Sequence, residues 1–349
     1  MRRAIRRLWL GVALIALSSA VLLLSDSQRG PRGAGRIPRV ALLQHASQPL
    51  LEEGVRGMLG GLAAAGFIDG KNISIERFNA ENDVGTANAI ARQLTNGQYD
   101  LVLTSSTRSL QAVANANKNG KVIHVFGIVA DPFSAGIGLS RSNPLEHPKH
   151  LVGVGSFTPV EPAFRLARRM FPGLKSVGVA WNPSESNSEA FIGKAREACR
   201  EMGIELVEAA IDNSSGVGEA ASSLVARGVQ ALWVGGDVTV LVAVDSVIAA
   251  ARKGRIPVFS ITPPTTQRGA IFDRGGNFYL VGQQTGELAA QVLRGADTSK
   301  IPIRNSVPEK LLVNRTALRG LKDPWNIPED VLVKADVVMD ETGVHDKRK

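Results

Sequence analysis

Short apolar runs recur along this chain, and most end abruptly in small polar residues that open a segment of helical periodicity. Arg39–Gln44 reads as a first strand, followed by a helix over Leu50–Ala65 that Gly66 stops, with Gly70 marking the next turn. Ile73–Phe78 alternates as a second strand, Val84–Leu94 is helical, and Leu101–Thr104 is a third strand. Ser105-Ser106-Thr107 then starts a helix reaching Asn117, and Val122–Val129 is a fourth strand. Strand and helix alternating at this spacing predict βαβ units and a parallel sheet.

Ser140–His150 holds two prolines and no periodicity, and reads as a loop near a domain boundary. A second series follows. Thr158, Pro159 and Glu161 have the order of an N-cap, a first-turn proline and a capping box. Strands are predicted at Ser176–Trp181, Glu205–Ala210, Ala231–Val234 and Pro257–Ile261, with helices between them. A short strand at Ala270–Asp273, a long helix over Phe278–Leu293 and a last strand at Leu311–Asn314 complete the pattern. The fold class is therefore α/β, with two doubly wound parallel-sheet lobes and a chain that crosses between them more than once. Several crossings make a hinge, because short connecting strands absorb a closing rotation.

The strand Val177–Trp181 runs into Asn182-Pro-Ser-Glu-Ser-Asn-Ser188 and then a helix from Glu189 to Met202. This order sets small hydrogen-bonding groups at the carboxyl end of a strand and the amino end of a helix, where open α/β sheets bind ligands. The same order recurs at Leu101–Thr107, Val122–Asp131, Ala231–Thr239 and Pro257–Thr262, which points to one small-molecule cleft between the lobes.

Composition changes this picture mainly at the amino end. The 349 residues suit two domains, and 44% apolar with 21% charged residues is ordinary for a folded chain. Seven arginines against one aspartate in the first 36 residues supply six of the nine net positive charges. The remaining chain has no clustered basic face, so nucleic acid is not an expected partner. The basic segment Met1–Arg7 and the apolar Leu8–Leu24 form an export head, with residues 25–38 as a tether. Leu8–Leu24 is either a cleaved signal or an anchor kept in the inner membrane. No cysteine stands near it, which closes the lipoprotein route. Cys199, the single cysteine, cannot form an intramolecular disulfide and reads as a packed helix residue.

Catalytic signals are poor: the chain has no nucleophile elbow, P-loop, zinc-helix or dinucleotide motif in the required context. No enzyme activity and no cofactor are expected. His147 and His150 are three apart, but Pro148 between them makes a poor metal site, and a solvated hinge loop is the expectation. Asp131 caps a turn or binds a ligand. Asp237 follows two glycines that permit close backbone approach, and is favoured as a ligand contact. Asn182 and Asn187 either satisfy helix N–H groups or touch the ligand. Trp181, Trp233 and Tyr279 read as core rather than as stacking platforms.

Several segments match a known family in order and spacing. They are Gly66-Phe-Ile-Asp-Gly-Lys-Asn72, Thr86–Ala91, Ala130-Asp-Pro132, Asn182-Pro-Ser-Glu185, Gln284–Ala290 and Asn326–Asp336. Over roughly Arg39–Asp340 the chain resembles the solute-binding proteins of ABC importers, in the group that includes tryptophan- and tyrosine-binding lipoproteins. The resemblance implies a type I periplasmic-binding fold, with one lobe over 39–150 plus 274–300 and the other over 151–273 plus 301–320. Residues 321–349 would be a tail packing on the lobes, its last residues disordered. It implies an exported, periplasmic monomer that captures a small amino-acid-like or carboxylate solute by hinge closure and delivers it to an inner-membrane permease. The competing reading is a membrane-tethered sensor for a receptor kinase.

The family's cleft positions fall here on His45, Thr107, Ser109, Asp131, Asn182, Ser184, Asn187, Asp237 and Thr239, with Arg108 and Thr262 added by this chain's departures. Gln44 stands where the resemblance leads one to expect Glu, and Ile261 and Thr262 stand where an acid is expected. Arg108 replaces a proline after Thr107 and points either to the ligand or to solvent. Two cation-binding carboxylates are thus missing, and a cation is gained where the helix dipole already favours anions. A solute more anionic or more neutral than an aromatic amino acid is the expectation.

Overall fold

The computed structural model describes residues 36–347, so the export head and nearly all of the tether expected before Pro38 lie outside the described residues. No helix among the described residues is long and apolar enough to cross a membrane. Arg39 onward forms one compact unit containing two sheets.

The first lobe alternates strands and helices. In order they are β1 (Arg39–Gln44), α1 (Pro49–Ala64), β2 (Ser74–Asn79), α2 (Val84–Leu94), β3 (Leu101–Ser105), α3 (Thr107–Ala116), β4 (Ile123–Val129) and β5 (Leu151–Gly155). The second lobe contains α4 (Glu161–Met170), β6 (Ser176–Trp181), α5 (Ser186–Met202), β7 (Glu205–Ala210), α6 (Val217–Ala226), β8 (Ala231–Val234), α7 (Val238–Val242), α8 (Val244–Gly254), β9 (Val258–Ser260) and β10 (Phe272–Gly276). The chain then returns to α9 (Phe278–Leu293) and β11 (Arg304–Asn305), crosses once more to β12 (Glu309–Asn314), and ends with α10 (Glu329–Lys334), β13 (Val337–Asp340) and β14 (Gly343–Asp346).

One sheet has the order β11-β5-β4-β3-β1-β2 and the other β14-β13-β12-β10-β9-β8-β6-β7. The central strands β1, β3, β4, β6, β8 and β9 pair in parallel and are apolar along most of their length, because helices cover both faces. Val40, Leu42, Leu101, Leu103 and Val125 belong to the first lobe's core, and Val177, Val179, Trp233, Phe259 and Phe272 to the second's.

Ladder membership moves the crossings later than the sequence suggested. Leu151–Gly155, assigned there to the second lobe, pairs with β4 and β11 in the first sheet, so the first crossing follows Gly155. Its two glycines hid it from a strand reading, yet Gly153 is required, since a Cβ there would meet the Phe126 ring at 2.4 Å. The second crossing follows Gly276 and the third follows Asn305, tied by Ser306 N to Gly155 O at 2.9 Å and Asn277 N to Pro308 O at 2.7 Å. The expected helix cap at Thr158 is also displaced. The helix begins at Glu161 with Pro162 in its first turn, and Val160 precedes it without a side-chain cap. Residues beyond 320 extend the second sheet by β13 and β14, so Leu311–Asn314 lies within it rather than last.

Candidate functional site

Loops leaving the carboxyl ends of β1, β3, β4, β6, β8 and β9, together with the crossing after β5, meet at a cavity of about 50 Å³ between the two sheets. Its wall is mainly apolar, formed by Leu50, Leu51, Ile128, Phe191, Val238, Leu241, Ile261 and Phe278. Val238 comes from the second lobe yet packs in the first lobe's core cluster. Two of the cavity's residues hold positive φ without being glycine, Ser106 at 117° and Ile128 at 54°. Such backbone costs about 1–3 kcal/mol per residue and persists only where its surroundings fix it. Ser106 is fixed by its N–H on Gly127 O at 3.3 Å and by its hydroxyl, which accepts from Ser109 N at 3.1 Å and caps α3.

The cavity's polar side chains are neutral. Gln48, Thr158 and Asn187 are 2%, 2% and 4% exposed, and Gln48 Oε1, Thr158 Oγ1 and Asn187 Oδ1 have no hydrogen-bond partner among the described residues. A buried polar atom left unpaired costs about 1–3 kcal/mol, and all three belong to residues that line the cavity. The amide orientations are set from behind. Gln48 Nε2 donates across the cleft to Val238 O at 2.7 Å, and Asn187 Nδ2 donates to Gly236 O at 2.7 Å and to Glu185 Oε2 at 3.2 Å.

Behind the second lobe's wall lies a charged network. Glu185 is fully buried and its carboxylate accepts from Val238 N (3.0 Å), Thr239 N (3.0 Å), the Thr239 hydroxyl (2.5 Å) and Asn187. Arg108 reaches it from the first lobe at 3.4 Å and also touches the Ser184 hydroxyl at 3.4 Å. Asp237 caps α7 through Val240 N at 2.8 Å and accepts from Asn182 N and the Ser188 hydroxyl, each at 2.6 Å. Burial, then the Glu185 charge, pushes its carboxyl up to about 6 against the pull of these hydrogen bonds. Asn182 bridges to Asp212 O and the Thr239 hydroxyl, and its Oδ1 accepts from Ser184.

Thr107, Asn187 and Thr262 therefore line the cavity. His45, Arg108 and Ser184 line a neighbouring pocket of about 590 Å³. Ser109, Asn182, Asp237 and Thr239 are buried and engaged with the protein's own groups, so the favoured ligand contact at Asp237 is spent on a helix cap. Asp131 stands apart, capping a turn at Phe133 N (3.1 Å) and paired with Arg141. Arg108 faces the neighbouring pocket rather than the cavity, with its guanidinium held against Glu185. Gln48, Thr158, Glu185, Phe191 and Phe278 were not singled out in the sequence. Gln48 precedes a proline-started helix and Thr158 resembled a cap, so neither carried a ligand signal. Trp181 and Trp233 are core, but Tyr279 is 41% exposed and lies over Gly60 rather than near the cleft. His147 Nε2 donates to Ile301 O at 2.9 Å, and no metal-holding cluster occurs among the described residues.

His45 is fully buried and neither ring nitrogen has a partner. Burial, then the Arg108 charge, pulls it down to about 4, against Glu185 and Asp83. Its neutral form stabilises the fold fully above the unfolded value near 6.5, and that contribution is lost as pH falls toward 4. Relative to His45→Asn, the natural chain should lose about 1.4 kcal/mol per pH unit between 6.5 and 4. Parallel urea titrations of the two proteins would check this, and parallel pH profiles would refute it.

The family model described as ABC transporter substrate binding protein matches residues 39–339. The tyrosine-binding protein of Clostridioides difficile is 29% identical over 282 residues, covering 81% of this chain and 80% of that protein. A conserved domain protein from Vibrio cholerae is 29% identical, covers 87% of this chain and 100% of its own, and superposes with a TM-score of 0.81. A substrate binding protein with adhesive properties from Clostridium difficile, in a ligand-free open structure, is 30% identical over 84% of this chain and 97% of its own, with a TM-score of 0.63.

Proposed function

Because the chain belongs to the family of ABC transporter substrate binding proteins, we propose that its central cavity captures a small organic solute outside the cytoplasm for delivery to a membrane permease. The observation that carries this reading is the pair of contacts between the lobes, Gln48 to Val238 O at the cavity wall and Arg108 to Glu185 beside the neighbouring pocket. Lys310 of β12 adds a third with Glu53 of α1 at 3.1 Å. Two relatives of equal similarity support a closed arrangement, since the open one superposes markedly less well than the other.

A solute touching both lobes shifts the open–closed equilibrium by its differential affinity for the closed form, and closure presents the permease with a shape the open form lacks. The relative named for tyrosine makes an amino-acid-like solute one member of the class to be tried. Small-angle scattering of the chain with and without the small-molecule fraction of its host's extract tests the reading. A contraction on addition is expected. An unchanged radius, with no small molecule retained on the protein, would overturn it.

A further inference from the structure

We infer that the solute is uncharged and carries N–H or O–H donors at both ends of an apolar body. This rests on the solute-capture reading and narrows it. The cavity's wall contains no ionisable side chain among the described residues. The groups awaiting a partner are Gln48 Oε1 from the first lobe, Asn187 Oδ1 from the second and the Thr158 hydroxyl beyond the first crossing. Asn187 spends both amide N–H groups on Glu185 and Gly236, so toward the cavity it only accepts, whereas Gln48 spends one of its two on Val238 O and keeps the other. The hydroxyl of Thr158 can serve either way.

The side chains around the cavity disfavour an ion, although the amino ends of α3 and α5, at Thr107 and Asn187, favour an anion over a cation. A carboxylate would face the fixed acceptor of Asn187, with Glu185 and Asp237 behind it and the cation Arg108 already engaged by Glu185. An ammonium would meet acceptors but no direct counter-charge, since Glu185 and Asp237 turn their oxygens onto N–H and O–H groups of their own lobe. Burying an unpaired ion is far costlier than burying a hydrogen-bonded neutral group. His45, in the adjoining pocket, is neutral and adds no charge. At about 50 Å³ the cavity admits such a solute only when the lobes part further, with Ile128, Phe191, Ile261 and Phe278 then covering its apolar body.

Two matched series test this by calorimetry on the full chain: L-tyrosine, tyramine, 4-hydroxyphenylacetate and 4-hydroxyphenylacetamide, and L-tryptophan, tryptamine, indole-3-acetate and indole-3-acetamide. In each series the amide should bind at least tenfold more tightly than any charged member, and a charged member binding as tightly would overturn the inference. Mass spectrometry of solute released from protein purified from its own host gives the second reading, where an uncharged compound supports and an ionised one overturns. Should no probe bind and no solute be released, solute capture itself fails and the inference with it. Thr158→Val separates binding from structure. The hydroxyl has no protein partner, so the variant should be at least as stable without solute yet bind the preferred amide several-fold more weakly. Reduced stability with unchanged affinity would mark Thr158 as merely structural and count against the inference.

Discussion

Gly282→Ala is expected to destabilise the first lobe by about 3 kcal/mol, although alanine is the better helix former by about 1 kcal/mol. The reason is the contact between α1 and α9, where backbone lies on backbone. A Cβ on Gly282 would stand 2.0 Å from Gly54 O, one on Gly286 2.1 Å from Met58 O, one on Gly57 2.0 Å from Tyr279 O and one on Gly61 2.2 Å from Gln283 O. Main-chain atoms cannot swing aside as a side chain can, so the helices must part by more than an ångström along their length. That loosens Met58, Leu62, Val281 and Leu288, which are buried beside the seam.

The measurement is urea unfolding followed by two probes. Trp181, Trp233 and Trp325, the tryptophans among the described residues, all belong to the second lobe's core and report that lobe. Circular dichroism reports helices of both lobes, so its transition should move to lower urea while the fluorescence transition moves less. Gly193→Ala on α5, where a Cβ meets nothing within 4 Å, should instead stabilise slightly. A Gly282→Ala variant as stable as the natural chain would remove the close-packed seam from this account. Combining Gly282→Ala with Gly57→Ala should cost less than the sum, because one separation relieves both clashes.

The helix seam illustrates what the sequence hides. Phe278–Leu293 is legible as a helix to the residue, and β1, α2, β6, β7 and β8 also fall where the apolar runs put them, because buried parallel strands and amphipathic helices write their own periods. Nothing local says that Gly282 faces Gly54 and Gly286 faces Met58, more than two hundred residues earlier. The site was legible in the same uneven way. Polar turns after strands located the cleft, since any chain building this fold must end its strands there. Which polar residue faces inward depends on how its own hydrogen bonds are spent. Asp237 and Asn182 looked like ligands by position, but the amino end of α7 and the turn before α5 consume them. Gln48 and Thr158 looked incidental and are left unsatisfied. The sheet exchange at Gly155 and Asn305 escaped because two glycines and a two-residue strand carry almost no propensity signal.

The lobes' charged contact yields the second large effect, and its two partners should fail differently. Glu185 receives two backbone N–H groups, a hydroxyl and an amide within its own lobe, so it is in place before Arg108 arrives. Glu185→Gln puts an NH₂ group against donors on whichever side it turns and leaves Arg108, largely buried, without its counter-charge. Breaking a buried pair in this way costs about 3–5 kcal/mol, and the loss should appear in the fluorescence-detected unfolding of the second lobe. Arg108→Met removes the cation but leaves those four donors on Glu185, so the second lobe should unfold at nearly its natural midpoint. What it loses is a contact made only when the lobes meet. Closure should weaken by about 1.5–3 kcal/mol, the range for a hydrogen bond to a charged group, and solute affinity should fall about tenfold to a hundredfold. Scattering would then show the variant more expanded than the natural chain at equal solute concentration. If Arg108→Met instead unfolded as readily as Glu185→Gln while binding solute normally, the pair would be a fixed strut of the fold, and the closing of the lobes would have to be sought in Gln48 and Lys310.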